Sequence, residues 1–86
     1  MKGDAMEGQD ARVGKAFSCP DGLVRWVTRQ SKRGYLHVLW READGDTWYD
    51  GGIYKSDKLV TGDEVAAPTE SYKLAGASGL IREVNL

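Results

Sequence analysis

The chain holds one histidine, His37, the side chain most often used as a general base at neutral pH, and one cysteine, Cys19, the most readily ionised of the thiol and hydroxyl nucleophiles. His37 falls in the middle of an apolar run and Cys19 beside a turn, and nothing in their spacing brings them together. A lone cysteine without a basic neighbour is usually inert. One cysteine and one histidine cannot close a zinc site without carboxylates, and no ligand spacing for one is present. Asp44, Asp46 and Asp50 echo a calcium loop, but its terminal glutamate is missing, and Asp44 and Asp46 suit a turn. Gly51-Gly52 has no following lysine and helix to cradle a phosphate. The expectation is a protein that is not an enzyme and carries no cofactor and no metal. A catalytic site shared between subunits is the one enzymatic reading that survives.

Binding chemistry is better supplied. Three tryptophans and four tyrosines offer large rigid contact areas that can hold a peptide, a cation or a base. Trp48, Tyr54, Tyr35 and Arg41 are the expected ligand-binding residues, presented to a protein or peptide partner as an exposed aromatic face. The alternative partner is single-stranded nucleic acid. Between Ala11 and Arg41 stand seven basic residues and a single acid, Asp21. Arg25, Arg29, Lys32 and Arg33 lie on or beside one hairpin with aromatics between them, the combination with which small barrels hold single strands. The sequence pI of about 5.7 argues against it.

These residues need a scaffold, and the pattern is of short apolar runs separated by turn signals every 8–12 residues or so, the mark of a small sandwich or barrel. Strands are predicted over Arg12–Ser18, Leu23–Gln30, Tyr35–Glu42, Thr47–Tyr54 and Leu80–Leu86, and Ser71–Ala75 reads as a strand or as a single helical turn ended by Gly76. Thr61–Glu64 reads either as a one-turn helix start, cut short by Pro68, or as a turn joining short strands around Leu59-Val60 and Val65-Ala66. The fold class is therefore all-β: an SH3-like barrel of five to six strands, or a strongly bent antiparallel sheet, with at most one short helix. A two-residue Asp44-Gly45 turn pairs Trp40 with Tyr49 and Arg41 with Trp48. With Leu36, Val38 and Trp40 inward, Tyr49 points inward too, and Trp48 points outward beside Arg41. Tyr54 joins Trp48 if Gly51-Gly52 adds no bulge, although paired glycines within a strand suggest one. A three-residue loop ending in a left-handed Gly34 pairs Ser31 with Tyr35, hence Trp26 with Trp40, and puts both in the core. A four-residue loop puts Val27 inside and Trp26 outside, and the glycine at the loop's end favours the first.

Eighty-six residues make one domain, predicted as a flexible tail over 1–10 and a single β domain over 11–86. A chain this short buries only about 60 % of the surface exposed on unfolding, so its core is thin. No apolar run reaches the roughly 18 residues that span a bilayer, and residues 1–10 lack the apolar stretch of a signal peptide. With one cysteine and no internal disulfide, a cytoplasmic protein is expected. Residues 1–42 carry a balance of +3 and residues 43–86 of −4, an asymmetry that suits a homo-oligomer as well as a polyanion.

The segment from Val13 to Trp48 resembles the opening of an SH3-like or Tudor-like barrel. The resemblance is carried by Val13 and Phe17, the Pro20-Asp21-Gly22 turn, Val24-Arg25-Trp26-Val27, and Tyr35 to Trp40 followed by Trp48. It implies a five-stranded bent sheet that binds short peptides, methylated side chains or nucleic acids. The acidic loop and proline-binding tyrosines of SH3 domains are not evident, nor is a complete Tudor aromatic cage. The same style is common among small proteins of phage and mobile elements.

Overall fold

The structure, a computed structural model, describes residues 9–86. The all-β class expected from the sequence is what these residues form, with no helix among them. Seven strands make one open sheet: β1 Ala16–Ser18, β2 Leu23–Gln30, β3 Leu36–Glu42, β4 Thr47–Tyr54, β5 Glu64–Val65, β6 Ser71–Ala75 and β7 Ile81–Asn85, in the order β5-β1-β2-β3-β4-β6-β7. Two features depart from the expected five or six antiparallel strands. Thr61–Glu64 does not start a helix; of the two short strands expected around it, the one at Val65 forms, as Glu64–Val65 on the edge beside β1, and the one at Leu59-Val60 does not. The chain then crosses to the far side of the sheet, so β6 runs parallel to β4. The first strand is shorter than predicted, because residues 11–14 form turns that fold back on Val27, whose carbonyl accepts the Gly14 N–H at 2.7 Å.

Residues 1–8 of the predicted tail lie outside the described residues. Asp10, its last residue, donates its backbone N–H to Gln30 Oε1 at 2.7 Å, and its carboxylate pairs with Arg12 at 2.9 Å. Arg12 also donates to the carbonyls of Leu59 and Ser56 at 2.9 and 2.6 Å, tying residues 56–59 to the start of the domain. No helix among the described residues is long and apolar enough to cross a membrane.

Both faces of the sheet carry a core. On one, Phe17, Val27, Leu36, Val38 and Leu59 are buried, with Val13 and Tyr54 packed against them. On the other lie Ala16, Val24, Trp26 and Trp48, flanked by Leu39, Val65, Ala67, Tyr72 and Leu74. The sheet is curled around this second cluster. Strands about 4.8 Å apart would place β2 and β6, three spacings apart, some 14 Å from each other in a flat sheet. Yet the rings of Trp26 on β2 and Tyr72 on β6 meet edge-on, with centroids 4.9 Å apart.

Two β-bulges decide which side chain faces which core. The β2–β3 loop closes as predicted, with the Ser31 N–H bonded to the Tyr35 carbonyl at 2.8 Å and Gly34 left-handed at φ +87°. The register set by that loop holds from Gln30↔Leu36 to Arg29↔His37 and then slips by one residue at Thr28. Beyond the slip Trp26 pairs with Leu39 and Arg25 with Trp40, which corrects the expected Trp26–Trp40 pair. One extra residue reverses the faces of everything after it. Trp26 and Trp40 therefore lie on opposite faces. The second bulge is the one the paired glycines suggested: β4 holds an extra residue at Gly51-Gly52, between the pairs His37↔Ile53 and Leu39↔Asp50. Gly52 sits at φ +82°, and its N–H is held by Asp50 Oδ1 at 2.8 Å.

Candidate functional site

The expected site residues do not converge. Trp48 was expected outward; it is instead 4 % exposed, its ring edge-on to Trp26 with centroids 5.4 Å apart. The face opposite Leu36 and Val38, expected to be solvated, is covered by β6 and residues 65–67. Arg41 does lie beside Trp48, its guanidinium 5.3 Å from the ring centroid, but it also donates to the carbonyls of Glu42, Ala43 and Gly45 at 2.9, 2.9 and 3.3 Å. It closes the β3–β4 hairpin, whose turn bonds the Gly45 N–H to the Glu42 carbonyl, one residue earlier than predicted. The glycine bulge sends Tyr54 to the face opposite Trp48, against the Val27–Leu36–Val38 core. Tyr35 stands at the start of β3 and lines a separate cleft of about 370 Å³ with Arg33, Lys55 and Asp57.

The basic residues are divided as well. Arg25 forms a two-pronged bond to Asp21 at 3.1 and 2.8 Å, which raises the arginine pKa and lowers that of the carboxylate. Arg29, Lys32 and Arg33 are exposed and form no ion pair among the described residues. Cys19 is buried, and its thiol donates to the Phe17 carbonyl at 3.6 Å. Among the described residues no group of three or more histidine, cysteine and acidic side chains could hold a metal ion.

What the fold does assemble is a row across the sheet on the face of Leu36 and Val38. Successive register partners Phe17↔Arg25, Arg25↔Trp40, Trp40↔Tyr49, Tyr49↔Ala75 and Ala75↔Ile81 carry it through six strands. Directly opposed residues share a face, so these six side chains stand side by side. At the Phe17 end the face is covered by Val13 and Leu59. Beyond Arg25 the cover stops, and neither Trp40 nor Tyr49 belongs to either core. Their rings stack, 22° from parallel with centroids 4.6 Å apart, with Tyr49 38 % and Ile81 52 % exposed.

Next to this row a cleft of about 270 Å³ opens between Pro20, Asp21, Arg25, Tyr54, Leu59 and the exposed Val60. The pairing of Trp40 with Tyr49 was legible in the sequence; its exposure was not, because the residues covering this face reach only one end of it. Comparison of the chain with protein-family models, curated proteins and solved structures finds no match.

Proposed function

We propose that the chain is a non-catalytic, cytoplasmic interaction module that recognises a protein or peptide partner through the Trp40–Tyr49 face. One observation carries the reading: two stacked aromatic rings stand in an uncovered row that continues through Ala75 to Ile81. Burying such rings supplies both apolar area and stacking geometry, and tryptophan and tyrosine dominate the energetics of protein interfaces. The adjoining cleft is lined by apolar Pro20, Leu59 and Val60 and by polar Asp21, Arg25, Tyr54 and Lys58. Its size suits one side chain of a bound segment, which would fix that segment's register. In this reading the curled sheet acts in the manner of SH3-like and Tudor-like modules, with the β3–β4 hairpin presenting the aromatic surface. A second copy of the chain is one partner the same face would accept.

Selection of displayed random peptides on the full chain tests the reading. Peptides enriched on the wild type should bind Trp40→Ala and Tyr49→Ala at least about tenfold more weakly, as expected for loss of an aromatic anchor. Enriched peptides that bind both variants as tightly as the wild type would place recognition elsewhere.

A further inference from the structure

The two bulges lie on strands either side of β3 and meet at the same place. The slip at Thr28 in β2 and the slip at Gly51-Gly52 in β4 both lie beside His37, which pairs with Arg29 on one side and Ile53 on the other. Bulges bend a strand and re-aim its side chains, and they recur next to binding sites. Here they open a cleft of about 280 Å³ on the face opposite the Trp40–Tyr49 row. Arg29, His37 and Asp50 supply its polar groups, and Leu39 and Leu74 line it with apolar surface.

Each polar residue is on the same side for a reason of register: Arg29 opposes His37, Asp50 opposes Leu39, and Leu39 follows His37 by two. Thr28, the inserted residue, is fixed by its hydroxyl, which donates to the His37 carbonyl at 3.2 Å. Asp50 is held by the Gly52 N–H. Arg29 forms no ion pair among the described residues, so its planar guanidinium is available to an incoming oxyanion in the geometry that carboxylate and phosphate fit best.

We infer that this cleft, which opens on the face opposite the Trp40 and Tyr49 rings and shares only Ala75 with their row, is a second binding site, for a small amphiphilic anion. The carboxylate or phosphate oxygens of the ligand meet Arg29 and the imidazole N–H of His37, and its apolar body lies between Leu39 and Leu74. Asp50 repels a second negative charge and accepts from any hydroxyl or amine the ligand carries. The volume lies near the lower end of the roughly 300–1,000 Å³ of small-molecule sites, so the ligand is a single ring or a short chain.

Benzoate and phenyl phosphate, titrated separately into the isotopically labelled full chain and followed by backbone amide shifts, test the assignment, with neutral benzamide as control. Saturable shifts at Thr28, Arg29, His37 and Gly52 with either anion, and none with benzamide, are expected. The tighter of the two identifies the anion class. Arg29→Gln should weaken binding about tenfold, as for a charge-assisted pair, and His37→Gln by a smaller factor. Trp40→Ala should leave it unchanged, which separates this site from the aromatic face. Arg29 is exposed and its replacement leaves the core intact, so spectra of the variant should match the wild type away from the cleft. Unchanged affinity in Arg29→Gln, equal shifts with benzamide, or shifts centred on Arg33 and Lys55 would each overturn the inference.

Discussion

Trp40 and Tyr49 are register partners whose rings stack 4.6 Å apart on the part of their face that the Leu36–Val38 core does not reach. A pair that served stability alone would be expected under cover, as Trp26 and Trp48 are. Replacing Tyr49, already 38 % exposed, by alanine should therefore cost little, about 1 kcal/mol for a lost cross-strand aromatic pair. Urea denaturation of Tyr49→Ala followed by tryptophan fluorescence measures it. A loss several times larger would make the pair a structural one.

Trp48→Ala should behave in the opposite way. The ring is buried against Trp26 and carries the Arg41 guanidinium on its surface. Truncating a core aromatic costs about 3–5 kcal/mol, a large share of the total for a domain of this size. Circular dichroism should show a variant largely unfolded, or with its midpoint lowered by well over 10 °C. A variant that melts like the wild type would mean that the ring packs less tightly than its burial implies.

How far these two tryptophans could be told apart from sequence depends on the bulges. The strands Leu23–Gln30 and Thr47–Tyr54 were legible to the residue, because β-branched and aromatic runs end there at polar turns. The Ser31–Tyr35 loop was legible from Gly34, and the β4 bulge from two adjacent glycines. The bulge at Thr28 left no such mark: threonine is an ordinary strand residue, and its slip is fixed by a tertiary bond to the His37 carbonyl. That unmarked residue moved Trp26 away from the face of Trp40. Trp48 was misplaced for a different reason. Alternation identifies two faces but not whether both are covered, and the cover over Trp48 comes from residues 65–74, the stretch with the weakest periodicity. The expected outward tryptophan followed these errors: Trp48 is buried, and the pair left outside both cores is Trp40 and Tyr49.

The glycine bulge makes a prediction of its own. A Cβ on Gly51 would stand 2.9 Å from the Val38 carbonyl oxygen and 3.3 Å from Trp40 Cδ1. The first contact is with backbone and cannot be relieved by a rotamer change, so Gly51→Ala should destabilise by about 1–3 kcal/mol, the range for overpacking. The variant should also disturb the Trp40 ring, shifting its fluorescence. An alanine variant with wild-type stability and emission would show that the β3–β4 ladder can open at this point without cost.

Acid should loosen the start of the domain. The hydrogen bonds and charge of Arg12 hold the Asp10 carboxyl below its ordinary range. A carboxylate whose pKa is depressed on folding stabilises the folded state above its unfolded value of about 3.9, and that contribution is lost as pH falls through the folded pKa. The stability difference between wild type and Asp10→Asn should thus be present at pH 7, amount to about 1 kcal/mol for a partly buried pair at the surface, and vanish below the carboxylate range. Denaturant titrations of both proteins at pH 7 and near pH 3 check the sign. A difference that persists or grows in acid would show that Asp10 acts through something other than its charge.

Nucleic acid remains a distinct outcome with its own signature. Arg25, one of the four residues first assigned to a phosphate track, is committed to Asp21, and Arg41 to three hairpin carbonyls. The remaining three, Arg29, Lys32 and Arg33, span a bulge and a hairpin tip rather than one continuous groove. Three phosphate contacts would give a salt slope of only about −2 for a single strand, and the half-buried Trp40 and exposed Tyr49, the rings outside both cores that could stack bases, lie elsewhere. Fluorescence anisotropy with a labelled single-stranded oligonucleotide should therefore show weak or no binding at low salt. Any binding seen should be abolished at moderate salt and by charge reversal of Arg29 and Arg33. Tight binding that survives moderate salt and is lost in Trp40→Ala would transfer the aromatic face from peptides to bases, because stacking on a ring is the component of single-strand recognition that salt leaves largely intact.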